Sequence, residues 1–175
     1  EKNFLKAHFQ LMNGLIGSAG KYRKQGVGIV KGSKLEHVAP PHENVPYLMK
    51  NLFEYLKNSD ELTLIKSCVF HYEMEFIHPF LDGNGRIARV MMNAELVKAG
   101  QSKIIIPTIY REDYMGALRR LTRQGDPDPY IRMLQRAHEF SENIFGDDMN
   151  EMQEYLIQTN AFLEHTEAKL KIITR

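Results

Sequence analysis

The stretch His78-Pro79-Phe80-Leu81-Asp82-Gly83-Asn84-Gly85-Arg86-Ile87-Ala88-Arg89 puts a base, a carboxylate, two glycines and two arginines where one helix ends and another begins. Helix N-termini present unpaired N–H groups and the positive end of the helix dipole, so a glycine-rich turn feeding one is an anion cradle. Pro79 disfavours the α region for the residue before it, which places His78 at a helix C-terminus, out of helical geometry. The rest of the chain reads as scaffold around this turn.

Upstream, Leu62, Ile65, Val69, Tyr72 and Phe76 recur at helical spacing and carry the helix that Pro79 stops. Downstream, Ile87, Val90, Met91, Ala94 and Val97 form the expected core stripe of a central helix ending at Gly100, a natural C-cap. Working outward, Phe4, Leu5, His8, Phe9, Met12, Leu15 and Ile16 predict a helix over 4–16. Residues 17–26 are too glycine-rich for a helix interior, and Val27–Val38 reads as a small β-hairpin ended by Pro40 and Pro41. A second helix starts at Val45, with Pro46 tolerated in its first turn. After a short buried connection, Ile104-Ile-Ile106-Pro107, three more helices are expected over 113–123, 129–145 and about 149–162. The expected fold is mainly α, one compact domain over 1–175 with a hairpin attached.

The 175 residues, 43% hydrophobic and 26% charged, fit a globular domain with a sizeable core. Twenty-three basic residues oppose 22 acidic ones, for a net charge of +1, and no Lys/Arg block runs along the chain. Electrostatics therefore give no argument for a nucleic-acid or membrane partner. The one cysteine, Cys68, lies in an apolar stretch, cannot make an intrachain disulfide or a cysteine-based zinc site, and reads as a small buried hydrophobe. No apolar run approaches a membrane span and no signal peptide opens the chain, so a reducing, cytoplasmic setting is expected. Glu1 is not an initiator Met, which leaves room for residues upstream.

Three rival readings of the turn compete with an anion site. Asp82-Gly-Asn-Gly-Arg-Ile87 matches the middle of an EF-hand loop, but the loop ends would be Phe80 and Met91, which lack the first oxygen ligand and the bidentate glutamate. A zinc site at His71 and His78 fails because two helical histidines seven apart stand roughly 10.5 Å apart along the axis. A purely structural turn explains Asp82 as a cap and Gly83 and Gly85 as small residues. It leaves Asn84, Arg86 and Arg89 without a reason to be together, since two arginines in a first helical turn oppose the dipole unless an anion is present.

Mg²⁺ prefers one or two carboxylates plus phosphates and waters to a full protein cage, so Asp82 beside an anion nest suits a metal–nucleotide complex. The glycines let backbone N–H groups approach phosphate oxygens, and Arg86 and Arg89 supply forked donors for the outer phosphates. His78 titrates nearest working pH and is the candidate base for a hydroxyl that attacks phosphorus.

At this point the motif resembles a family. Residues 78–89 fit the Fic signature His-x-Phe-x-(Asp/Glu)-Gly-Asn-Gly-Arg-x-x-Arg at every specified position, and the likeness extends through Ala19-Gly-Lys-Tyr-Arg23, the hairpin, and Tyr110-Arg-Glu-Asp-Tyr114, over about 5–140. C-terminal helices over about 141–175 would complete the domain. The resemblance implies a helical domain with a β-hairpin flap and a protein adenylyltransferase that moves AMP from Mg²⁺-bound ATP to a Ser, Thr or Tyr hydroxyl of a target protein. It implies His78 as general base, Asp82 on Mg²⁺, Gly83, Asn84 and Gly85 as the anion hole, and Arg86 and Arg89 at the β/γ end. The flap, about 27–38, would pair with an extended target segment. Tyr114 matches a tyrosine near the adenine in some relatives, and a core tyrosine accounts for it equally well.

The phosphorylating Doc branch carries lysine where this chain has Gly85, which points to adenylyl transfer. An inhibitory Ser/Thr-x-x-x-Glu-Gly/Asn helix is common in the family. Here Glu43-Asn44 is preceded by Ala39 and Glu142-Asn143 by His138, so neither qualifies, and such a helix would lie upstream of Glu1 or on another chain. Removal of AMP, a bifunctional enzyme, and a catalytically silent interaction module are the alternatives, and a homodimer is left open.

Overall fold

The computed structural model describes residues 1–31, 34–144 and 146–161. The tip of the expected hairpin, 32–33, and the end of the chain, 162–175, lie outside the described residues. Contacts divide the chain into two units, Glu1–Gly100 and Gln101–Arg175.

The first unit runs α1 (Lys2–Met12), β1 (Gly28–Lys31), β2 (Lys34–Val38), α2 (Val45–Asn58), α3 (Thr63–Ile77) and α4 (Asn84–Lys98). Helix α1 is shorter than its apolar spacing predicts. Asn13 is extended and Gly14 takes φ +82°, so this pair ends the helix and leaves Leu15 exposed. The two strands pair antiparallel from Gly28 opposite Val38 to Lys31 opposite Lys34, with the register shifting by one between Ile29 and Val30. Helix α2 begins at Val45 with Pro46 in its first turn, as expected.

Phe4, Met49, Phe70, Met74, Ile77, Phe80 and Ile87 sit in one buried cluster that joins α1, α2, α3 and the loop before α4. Helix α4 packs against α3 and α1, and here the expected stripe needs correction. Ile87, Ala88, Met92 and Leu96 are buried, whereas Val90 and Val97 are 50% and 51% exposed and Ala94 also faces out. The sequence carries two apolar faces that share Ile87. The one covered by α1 and α3 lies about a third of a turn from the other.

The second unit contains α5 (Arg111–Gln124), α6 (Asp128–Ile144) and α7 (Met149–Gln158). Gly125 at φ +65° ends α5, and Asp148 caps α7 by accepting from the Asn150 and Glu151 N–H groups. The Ser141 hydroxyl donates to Ala137 O and accepts from Ile105 N–H at 2.7 Å, which fixes the 104–107 connection, buried at Ile104 and Pro107 and partly exposed between them. No described helix is long and apolar enough to cross a membrane.

Candidate active site

His78 caps α3 with φ 50° and ψ 59°, at the helix C-terminus and out of right-handed helical geometry as Pro79 predicts, and the conformation it takes is left-handed. The cause lies in where the orphan carbonyls of the helix end go. Met74 O accepts the His78 N–H, Phe76 O accepts His37 Nε2–H at 2.9 Å, and Ile77 O and His78 O accept from the Arg23 guanidinium at 3.2 and 2.8 Å. Pro79 O takes the Arg23 backbone N–H at 2.9 Å. Apart from the local His78 N–H, each of these donors lies far away in sequence.

The half-buried imidazole has Nδ1 3.4 Å from Glu75 O. A carbonyl can only accept, so Nδ1 carries the hydrogen in this contact and the lone pair is left on Nε2. Burial lowers the His78 pKa below its ordinary value, and the nearby His37 and Arg23 push the same way. The ring is therefore neutral near pH 7, which is the state a base requires.

The loop is locked by buried polar contacts. Asn84 is 2% exposed; its Oδ1 accepts Phe80 N–H at 2.8 Å and its Nδ2 donates to Phe80 O at 2.9 Å. His8, fully buried in α1, stacks on Phe80 with 3.5 Å between ring centres. Gly20 N–H donates to His8 Nδ1 at 2.9 Å, which assigns the hydrogen to Nε2, and that atom donates to Asp82 O at 3.0 Å. Gly83 takes φ +83°, and a Cβ there would stand 2.7 Å from Met12 Sδ, so only glycine fits.

Helix α4 starts at Asn84, and the bond from Ile87 N–H to Gly83 O is the first of its ladder. The first-turn N–H groups of Asn84, Gly85 and Arg86 have no carbonyl behind them within the helix. The Asp82 carboxylate accepts Gly83 N–H at 2.6 Å and Arg86 Nη2–H at 2.9 Å, and those contacts hold its pKa below the ordinary value. It is 59% exposed and ionised beside this turn. A Cβ on Gly85 would come within 2.8 Å of Glu75 Oε1 and 3.1 Å of Arg89 Nη1, so carboxylate and guanidinium converge over the glycine.

Asp82, Gly83, Asn84, Gly85, Arg86 and Arg89 are thus together at one helix start, with His78 at the far end of the same loop. Arg86 is turned onto Asp82 rather than left free for an anion, and the Asn84 side chain serves the loop, which leaves its backbone N–H for a ligand. Tyr114 belongs to the second unit, buried in α5 at 4% exposure. Sequence reasoning missed His8, Arg23, His37 and Glu75 as neighbours of the loop. Arg23 closes the quoted Ala19–Arg23 segment, and His8 stands in the α1 apolar stripe; a basic side chain in such places was the available signal.

Among the described residues no group of three or more His, Cys, Asp or Glu side chains could hold a metal by itself. The donor set is one ionised, accessible carboxylate, which fits a Mg²⁺ ion that arrives with phosphates and waters and does not fit a resident caged ion.

The chain is 30% identical over 168 residues to a protein adenylyltransferase Fic of Drosophila erecta, covering 91% of this chain and 32% of that protein. It is 36% identical over 124 residues to a protein adenylyltransferase Fic of Nematostella vectensis, covering 69% and 28%. The chain therefore spans about a third or less of the length of these curated relatives. Among solved structures, a Fic family protein of Desulfovibrio desulfuricans superposes with a TM-score of 0.66 at 32% identity, over 89% of this chain and 56% of that one. A Fic domain containing signaling protein of Bacteroides thetaiotaomicron gives a TM-score of 0.68 at 20% identity, over 80% and 61%, a likeness of fold alone. With a match to the Fic/DOC family over residues 1–96, more than half its length, and the signature loop intact, this chain belongs to the Fic/DOC family.

Proposed function

We propose that this domain is a protein adenylyltransferase that moves AMP from Mg²⁺-bound ATP to a hydroxyl side chain of a target protein. The observation that carries the reading is His78, whose Nδ1 faces Glu75 O and so leaves the lone pair on Nε2, at the end of a loop whose other end is an anion-receptive helix start. The names of the relatives point the same way, and the reading for this chain rests on its own residues.

His78 Nε2 takes the proton of the Ser, Thr or Tyr hydroxyl as its oxygen forms a bond to the α-phosphorus. The bond from that phosphorus to the bridging oxygen breaks, and pyrophosphate leaves. The first-turn N–H groups of α4 hold phosphate oxygens in a fixed geometry, so stabilisation of developing charge needs no reorganisation. Arg89, and Arg86 once it releases or shares Asp82, add permanent charge at the outer phosphates. Asp82 is the residue to hold Mg²⁺, which when bound neutralises phosphate charge and activates the leaving group. Gly85 keeps the cradle open, because a side chain there would press on Glu75 and Arg89. The hairpin supplies strands for an extended target segment.

The test is incubation with Mg²⁺ and ATP labelled at the α- or γ-phosphate, in cell extract, comparing wild type with His78→Ala. Protein-bound α label that disappears in the variant while ATP binding persists supports transfer of AMP. Label from the γ-phosphate alone, or α label undiminished in His78→Ala, overturns the assignment.

A further inference from the structure

A base at a helix end serves transfer only if it is held in a fixed place relative to the hairpin. Arg23 is 3% exposed, on the segment between α1 and β1, and among the described residues its guanidinium bonds are to carbonyls, while Glu43 acts on it through charge. Its guanidinium donates to four carbonyls: Nε to His78 O at 2.8 Å, Nη2 to Ile77 O at 3.2 Å and to Pro40 O at 2.6 Å, and Nη1 to Gln25 O at 3.0 Å. Two of these acceptors are the end of the helix that carries the base. The other two are the feet of the hairpin, Gln25 just before β1 and Pro40 just after β2, which Ala39 N–H closes against Val27 O at 3.2 Å.

Burial of an arginine costs free energy unless fixed acceptors replace its water. A helix C-terminus is commonly ended by a glycine in the left-handed conformation. Here a histidine takes that conformation, and the negative end of the α3 dipole supplies the acceptors for the charge. His37 makes a second tie on the same helix end, from β2 to Phe76 O, with its ring 5.4 Å from that of Phe76. The planar fork of arginine can bind several carbonyls in one rigid arrangement, which lysine cannot.

We infer that Arg23 is a positioning residue that locks the His78 base and both feet of the hairpin into one body, so that a hydroxyl presented on the hairpin meets the imidazole in register. This rests on the proposed reading of His78 as the base. The groups that face the imidazole are Arg23, His37 on β2, Asp82 on the loop, and the Glu75 carbonyl on α3.

The experiment is NMR of the His78 imidazole in Arg23→Lys and Arg23→Gln, alongside ATP affinity with Mg²⁺ and the rate of AMP transfer. The imidazole signal reads position without reference to activity, so the inference can fail while the functional reading stands, and the reverse. With Arg23 replaced, the His78 resonances should shift and, in Arg23→Gln, the ring should titrate at higher pH than in wild type. Transfer should fall at least tenfold in kcat while ATP affinity stays within twofold, with Arg23→Lys not restoring the rate. If the Arg23 variants do not fold, His37→Phe, which keeps the ring and removes one bond to the same helix end, is read in the same way. A folded variant whose His78 tautomer, titration and rate match wild type overturns the inference.

Discussion

Replacing Asn84 with alanine should loosen the loop from within. The side chain of Asn84 satisfies both backbone groups of Phe80, at 2.8 and 2.9 Å, and Phe80 is fully buried, so water cannot take over. A buried polar group left without a partner costs about 1–3 kcal/mol, so two of them on one residue cost about 2–6 kcal/mol. That is a large part of the 5–15 kcal/mol typical of a domain. Urea denaturation of wild type and Asn84→Ala measures the difference. Hydrogen exchange at the Phe80 amide locates it, because loss of the bond to Oδ1 should speed exchange there more than in α2. A loss below about 0.5 kcal/mol, with the Phe80 amide as protected as in wild type, would show that the clamp does not hold the loop.

Other perturbations follow from the same geometry. Burial, aided by Arg89, lowers the His71 pKa to about 3, so this ring stays neutral in the folded chain while it charges near pH 6.5 in the unfolded one. Stability should therefore be unaffected above about pH 6.5 and fall by up to roughly tenfold in the folding constant per pH unit between there and about pH 3; NMR should show no His71 titration above pH 4. Gly83→Ala must place a Cβ at φ +83° against buried Met12, which costs about 2–4 kcal/mol from the left-handed strain and the overpacking, read as a lower midpoint in thermal unfolding. Because His78 must be neutral to accept a proton and its pKa is lowered, transfer should rise with pH through an apparent pKa below 6.5 and level off by neutrality. Asp82→Asn should weaken Mg²⁺-dependent ATP binding at least tenfold, by calorimetry, with little change in metal-free binding.

What could be read from the sequence and what could not divides along one physical line. Residues 78–89 announced a base, a carboxylate and a helix start because each signal is local: proline after the base, glycine in the turn, one arginine in the first helical turn and a second in the next. Pro46 at the start of α2 and Gly100 after α4 worked in the same way. The errors came where local signals tied. Leu15 and Ile16 continued the spacing of α1, yet Asn13 and Gly14 stopped it, and α4 offered two apolar faces among which only the positions of α1 and α3 could choose. Pro79 told that His78 leaves the helix but not which conformation it takes. Its left-handed geometry is held by Arg23, 55 residues away, just as the backbone of Asp82 is held by His8, 74 residues away. A buried polar contact of this kind has no periodicity and no fixed spacing. It can be recognised only once the chain has closed and the carbonyls at a helix end must be matched one by one to donors. The reactive groups of this site were therefore legible in one dimension, whereas the residues that aim them belong to the accounting of hydrogen bonds in three.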